Sequence, residues 1–244
     1  MEENNGKVGT ILRIVAVAVV AVFIGALIIF NAGSTKPSDE IWDTKATLGN
    51  VESSNHFVMY TDIMCPYCDY FSRALMDDWD EAKKFIEENN IVFEVRMTDF
   101  LWEYNGVSKY STAGAEATIC AKNEDRFWDY YHAALKALND DYHSKGMGNS
   151  HDSAPITDMP DDYWVKIGKG IGLGGTFEDC VNNHAALKEV QDNTKKTAKA
   201  LEKNNISGLP FFHFGNFKTS GYDTSWGWED GAKKYFEAGL KAAK

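Results

Sequence analysis

The sequence predicts an α/β domain carrying a helical insertion. Three observations predict it: a short apolar run that feeds a helical stripe, a second such run directly after that helix, and a long helical tract before the pattern returns to strand. The first run is His56 to Thr61 (HFVMYT), which reads as a buried strand and leads through Asp62-Ile63-Met64 to Cys65. Cys68, Phe71, Leu75, Trp79, Ala82 and Ile86 then recur at spacings of three and four, so they form one inward stripe of a helix. Ile91 to Met97 (IVFEVRM) follows a short Asn89-Asn90 link. Strand, helix and strand with so short a link suit a right-handed parallel βαβ unit.

From about Ser111 to Asn205 the periodicity is helical. Ala117, Cys120, Ala121, Trp128, Tyr131, Leu135 and Leu138 make one face, and Leu187, Val190, Thr194, Ala198 and Leu201 another. Asn139 to Pro160 interrupts with Gly, Pro, Asn, Asp and Ser and reads as a surface loop. Phe211 to Phe214, a Gly215-Asn216 turn and Phe217 to Thr219 suit a two-residue hairpin. A closing helix from about Trp228 buries Ala232, Tyr235, Phe236, Leu240 and Ala243.

Ahead of this domain, residues 14–30 (IVAVAVVAVFIGALIIF) carry no charge. With Arg13 snorkelling, residues 11–30 are long enough to span a bilayer as one helix. Lys7 and Arg13 precede the span, whereas Lys36 is followed closely by Asp39, Glu40 and Asp43. That bias places residues 1–10 in the cytoplasm and the domain, residues 40–244, outside it on a single-pass anchor in the cell membrane. Residues 31–39 (NAGSTKPSD) form the tether. The competing reading is a cleaved signal peptide, which needs small residues one and three positions before the cut. Ala32 is preceded by Asn31 and Phe30, which do not fit that pattern.

A net charge of −11 opposes binding to phosphate backbones, so nucleic acid is not expected as a partner. Four cysteines, Cys65, Cys68, Cys120 and Cys180, are an even number, as full pairing in an oxidising compartment requires.

The pair in Cys65-Pro66-Tyr67-Cys68 stands where a strand ends and a helix begins. Pro66 fits the first helical position, because its fixed φ suits the helix and its missing N–H would have no partner there. Cys65 is then the cap, and the free N–H groups of Tyr67 and Cys68, with the helix dipole, can stabilise a thiolate on it. Cys65 is expected to be the exposed sulfur that forms a mixed disulfide with a client, and Cys68, one turn on and buried, the resolving thiol. Half of a zinc site has the same spacing, but Cys120 and Cys180 stand alone, without a second close pair. No metal and no cofactor are expected.

Four landmarks in order carry a resemblance: Asp62-Ile63-Met64-Cys65-Pro66-Tyr67-Cys68; Ala117-Thr118-Ile119-Cys120-Ala121 leading into Phe127-Trp128; Phe177-Glu178-Asp179-Cys180; and Ser207-Gly208-Leu209-Pro210-Phe211-Phe212. Together they resemble the DsbA-like thioredoxin-fold oxidoreductases, in particular their membrane-anchored bacterial branch. The resemblance implies a thioredoxin-like fold with a helical insertion and a cis Pro210 facing the redox pair. It also implies a Leu209 backbone that pairs with an extended client strand, and a second, structural disulfide between Cys120 and Cys180. The chain departs from the family at three places. Tyr67 replaces the histidine of the best-known strongly oxidising members, Met59 stands where relatives have a buried acid that moves the proton of the second thiol, and Leu209 replaces the usual Val or Thr.

The resemblance implies a protein-disulfide oxidoreductase that donates disulfides to cysteine-containing exported proteins and is re-oxidised by a separate membrane redox partner. An extracytoplasmic reductase or isomerase is the alternative within redox chemistry. A copper- or zinc-handling module using the Cys pair, with Met64 as a soft third group, is the alternative outside it. Trp102, Trp128, Trp226 and Trp228 read as core rather than as a client-binding patch. His143 and His151, with Asp140, Asp141 and Asp152, read as a solvated loop rather than a metal site. Glu94 and Asp99 are candidates for assisting proton transfer, with solvation or ion pairing as the plainer reading.

Overall fold

The computed structural model describes residues 40–103, 108–148, 153–222 and 227–242. The predicted anchor and tether lie outside them, as do His151, Asp152, Trp226, Ala243 and the side chain of Trp102. Among the described residues no helix is long and apolar enough to cross a membrane.

The elements, in chain order, are β1 (Thr47–Gly49), β2 (Asn55–Asp62), α1 (Pro66–Asp77), α2 (Trp79–Glu88), β3 (Ile91–Thr98), α3 (Ser108–Asn123), α4 (Phe127–Asp141), α5 (Tyr163–Gly170), α6 (Gly175–Asn182), α7 (Leu187–Asn204), β4 (Phe211–Phe214), β5 (Phe217–Ser220) and α8 (Lys233–Ala242). One five-stranded sheet runs in the order β1-β3-β2-β4-β5. The central pair β2 and β3 is parallel, as the βαβ reading requires, and the other pairings are antiparallel. Helices α3 to α7 form the insertion between β3 and β4. This is an α/β thioredoxin-like fold with a helical insertion. Strand β1, three residues long, is too short to register as a pattern in the sequence.

The pleat divides β2 into two sets of side chains, because successive residues point to opposite faces. Phe57, Met59 and Thr61 share one face with their β3 partners Phe93, Val95 and Met97. There Phe57 packs against Phe236 of α8, with ring centroids 4.4 Å apart, and Phe71 of α1 packs on Phe212 at 4.6 Å. The approach of α8 to the sheet is close enough that a Cβ at Gly239 would lie 2.0 Å from the Phe214 ring. On the opposite face Val58, Tyr60 and Asp62 stand beside Glu94, Arg96 and Thr98.

The stripe predicted for one helix is divided between two. Asp78 leaves helical geometry (φ −111°, ψ 43°), and its carboxylate accepts the Trp228 N–H at 3.4 Å, which separates α1 from α2. Trp79 is only partly buried as a result, and its ring lies tilted against Trp128, with centroids 5.4 Å apart. The Trp128 indole N–H donates to the Thr47 carbonyl, while Trp228 is fully enclosed in the core. In α7 the buried face runs through Val190, Thr197 and Leu201, and Ala198, predicted inward, is exposed.

The segment from Asn139 to Pro160 is not simply a surface loop. Helix α4 continues through Asp141, His143–Lys145 forms a 3-10 turn, and Tyr142, His143, Ile156 and Met159 are buried. His143, predicted to be solvated, bonds through Nδ1 to the buried Asp69 carboxylate at 3.1 Å. The apolar residues scattered through this polar stretch are enough to fold it back onto the core.

Candidate redox site

The site begins at the C-terminal end of β2. Asp62 is fully buried, and its carboxylate accepts the Met64 N–H at 2.9 Å, the Leu101 N–H at 2.9 Å and the Ser111 hydroxyl at 2.5 Å. Its carbonyl accepts the Cys65 N–H at 3.0 Å. These bonds close a turn over Ile63 and Met64 and tie it to α3, so that Cys65 is delivered as a fixed point at the head of α1.

Cys65 has extended geometry (φ −81°, ψ 117°) and is the N-cap of α1, Pro66 occupies the first turn, and the Asp69 N–H makes the first helical bond to the Cys65 carbonyl at 2.9 Å. Cys65 and Cys68 are free thiols. Tyr67 is half-buried, with its ring 6.5 Å from that of Tyr70.

Two expectations for Cys65 require correction. The residue is not exposed: 4% of its surface is accessible, against 1% for Cys68. Its sulfur also makes no cap hydrogen bond to the N–H groups of α1. It donates instead to the Leu209 carbonyl at 3.6 Å. A neutral thiol has a proton to give, so it seeks an acceptor and not the N–H donors that would receive a thiolate. The peptide bond between Leu209 and Pro210 is cis, and the Pro210 carbonyl accepts the Gly221 N–H at 2.9 Å. The segment entering β4 therefore lies against Cys65, and both Leu209 and Pro210 are buried.

Burial pushes the Cys68 thiol well up, and the adjacent Cys65 sulfur pushes it further. A hydrogen bond from the Thr61 hydroxyl and one from the Asp62 backbone oppose that rise. Met59, at the position where the family resemblance calls for an acid, is fully buried among apolar residues. The polar groups around the second thiol come from elsewhere. Thr61, two residues along the same strand face, lies 3.4 Å from the Tyr131 hydroxyl, which in turn lies 2.8 Å from the Ser72 hydroxyl.

Glu94 and Asp99 are both buried and both paired. Burial works against the charge on Glu94, but His56 at 2.9 Å and Arg96 at 2.9 Å hold its carboxyl below the usual carboxylate range. Its place on β3 puts it on the sheet face opposite Thr61. Asp99 accepts the hydroxyls of Thr112, at 2.8 Å, and Thr194, at 2.5 Å. Cys120 of α3 and Cys180 of α6 are joined in a disulfide, with Cα atoms 5.9 Å apart. Among the described residues no group of three or more His, Cys, Asp or Glu side chains could hold a metal ion.

Asp62 gives a pH-dependent stability. Burial raises its carboxyl to about 6, with Asp99 adding to the rise and the three donors opposing it. Between the unfolded value of 3.8 and about 6, the native state therefore binds the proton more tightly. The contribution of Asp62 to stability is greatest in acid and is lost as the pH rises through about 6. The expected loss is about 3 kcal/mol. Denaturant unfolding of the wild type and Asp62→Asn across pH 4 to 7.5 should show the stability difference between them changing by that amount. A pH-independent difference would refute the assignment.

A family model described as Thioredoxin matches residues 42–224. No curated protein matches the chain. Solved structures do. A thioredoxin-like oxidoreductase from Silicibacter pomeroyi DSS-3 is 16% identical, with 82% of this chain and 93% of that one covered at a TM-score of 0.54. MdbA, a thiol-disulfide oxidoreductase from Corynebacterium diphtheriae, is 15% identical, with 82% and 95% covered at 0.56. Oxidised BdbD from Bacillus subtilis is 16% identical, with 80% and 92% covered at 0.54. At these identities the likeness is one of fold.

Proposed function

Because the chain belongs to the thioredoxin family, we propose that it is a thiol:disulfide oxidoreductase that donates disulfides to exported proteins through Cys65 and Cys68. The observation that carries this reading is the inequality of the two thiols. Cys65 caps a helix directly after the central strand, while Cys68 is sealed one turn inside with its thiol pushed well up. In this reading a client thiolate attacks Cys65, Cys68 leaves, and the mixed disulfide on Cys65 is resolved by the client's second thiol. Pro66 starts the helix, Tyr67 lines its exposed side, and Leu209 and Pro210 receive an extended client segment by backbone pairing.

The relatives titled thiol-disulfide oxidoreductases support the reaction class, and the Cys120–Cys180 bridge suits an oxidising compartment. With residues 11–30 as anchor, the domain works at the outer face of the cell membrane and is recycled by a separate membrane redox partner.

The test is the reduction potential of the pair, measured by equilibrating the full chain in glutathione buffers and counting alkylated Cys65 and Cys68 by mass. The expected value is less negative than the roughly −270 mV of thioredoxin. A value at or below it would assign the chain to the reductase direction.

A further inference from the structure

Cys68 is 1% exposed, and the acid expected beneath it is Met59. Opening the Cys65–Cys68 disulfide nevertheless leaves an electron pair on the Cys68 sulfur, in a place water does not reach. A charge there needs hydrogen-bond donors, since an unpaired buried charge is strongly disfavoured. The side-chain donors on hand are hydroxyls. Thr61 lies close enough to act on the Cys68 thiol, Tyr131 stands 3.4 Å from Thr61, and Ser72, one turn along α1 from Cys68, stands 2.8 Å from Tyr131; all three are buried. They come from β2, α4 and α1, three elements that meet on one face of the sheet. Each hydroxyl can give one proton and accept another, so the three can align in one direction, Ser72 to Tyr131 to Thr61 to Cys68, and reinforce one another. The nearest carboxylate on α1, Asp69, is already committed to Arg73 at 3.0 Å and to His143.

We propose that Thr61 is a catalytic residue that receives the charge on Cys68, and that Tyr131 and Ser72 are positioning residues that orient its hydroxyl. The proposal rests on the oxidoreductase reading above. In the step concerned, a client thiolate forms a new S–S bond to the Cys65 sulfur, the Cys65–Cys68 bond breaks, and its electron pair stays on Cys68, held by the Thr61 O–H. The proton that the client thiol lost to solvent is balanced by the one Cys68 finally takes up. The 3.4 Å contact between Thr61 and Tyr131 is long for two hydroxyls, and bonds of this kind tighten as charge develops.

Two measurements on the full chain test it. The first is the rate at which reduced glutathione opens the oxidised pair. Thr61→Val should slow it about tenfold, the size of effect set by one hydrogen bond to a charged group, Tyr131→Phe should slow it by less, and Thr61→Ser should stay within about twofold of wild type. The second is the pH titration of the Cys68 thiolate by ultraviolet absorbance in a Cys65→Ser background. Thr61→Val should move it upward by about one unit, with Asp62, Asp69 and Tyr131, the ionisable neighbours, unchanged between the two proteins compared. Folded Thr61→Val matching wild type in both measurements would overturn the proposal. If Thr61→Val does not fold, Tyr131→Phe decides by the same two readouts. If the wild-type pair never reacts with glutathione, the oxidoreductase reading falls, and the Cys68 titration still decides whether the hydroxyl chain holds the charge.

Discussion

Replacing Cys65 by serine is expected to reduce thiol–disulfide exchange by about three orders of magnitude or more, because an alcohol oxygen neither forms nor leaves a disulfide. Cys68→Ser should behave differently. The attacking sulfur survives while its resolving partner is gone, so mixed disulfides with clients should accumulate on Cys65. The geometry sharpens this contrast. Cys65 donates a hydrogen bond to the Leu209 carbonyl, whereas the Cys68 thiol is enclosed and pushed well up by burial and by the Cys65 sulfur. With 4% of Cys65 accessible, the proposed route for a client is along the Leu209–Pro210 edge, where it takes the place of that internal contact. Non-reducing gels and peptide mapping of both variants, incubated with an unfolded protein that still carries a disulfide for the surviving thiolate to attack, check the outcome. Adducts on Cys65→Ser and none on Cys68→Ser would exchange the two roles.

Much of this site is readable before any coordinates, and the part that is not has a physical reason. The strand leading into Cys65, the helix begun by Pro66 and the hairpin at Gly215-Asn216 are local features, expressed in residues a few positions apart. The separation of α1 from α2 at Asp78 is tertiary, because it answers to the Trp228 backbone 150 residues on. Asp62 reads as an ordinary polar residue after a strand, and only its bonds to Leu101 and Ser111 reveal it as the post that fixes the active-site turn. Strand alternation alone would have placed Thr61 on the face of Met59. Its partner Tyr131, however, lies 70 residues away and registers in the sequence as one more aromatic of a helical stripe. His143 was hidden by composition: the Gly, Asn and Asp around it suggest solvent, while the packing of Ile156 and Met159 carries it inward to Asp69.

The bridge between Cys120 and Cys180 should carry the largest single share of stability that one double substitution can remove. Spacing alone did not pair these residues. They belong to α3 and α6, 60 positions apart, and packing within the insertion brings them together. Closing a loop of that length removes denatured-state entropy worth about 4 kcal/mol in the chain-entropy model. Cys120→Ala with Cys180→Ala should therefore lower Tm by roughly 8–16 °C for a domain of this size. Alanine is the better probe than serine, because Cys120 is 1% exposed and a hydroxyl there would be buried beside Ala117 and Ala121. The exchange rate at Cys65 should stay within about twofold at temperatures where the variant is folded, since β2, α1 and the Leu209–Pro210 segment that build the redox site do not include either cysteine. Calorimetry and the glutathione assay separate the two effects. A stability loss below about 1 kcal/mol would show that the denatured insertion is already compact without the bridge. Loss of exchange with stability intact would make this second pair part of the redox chemistry.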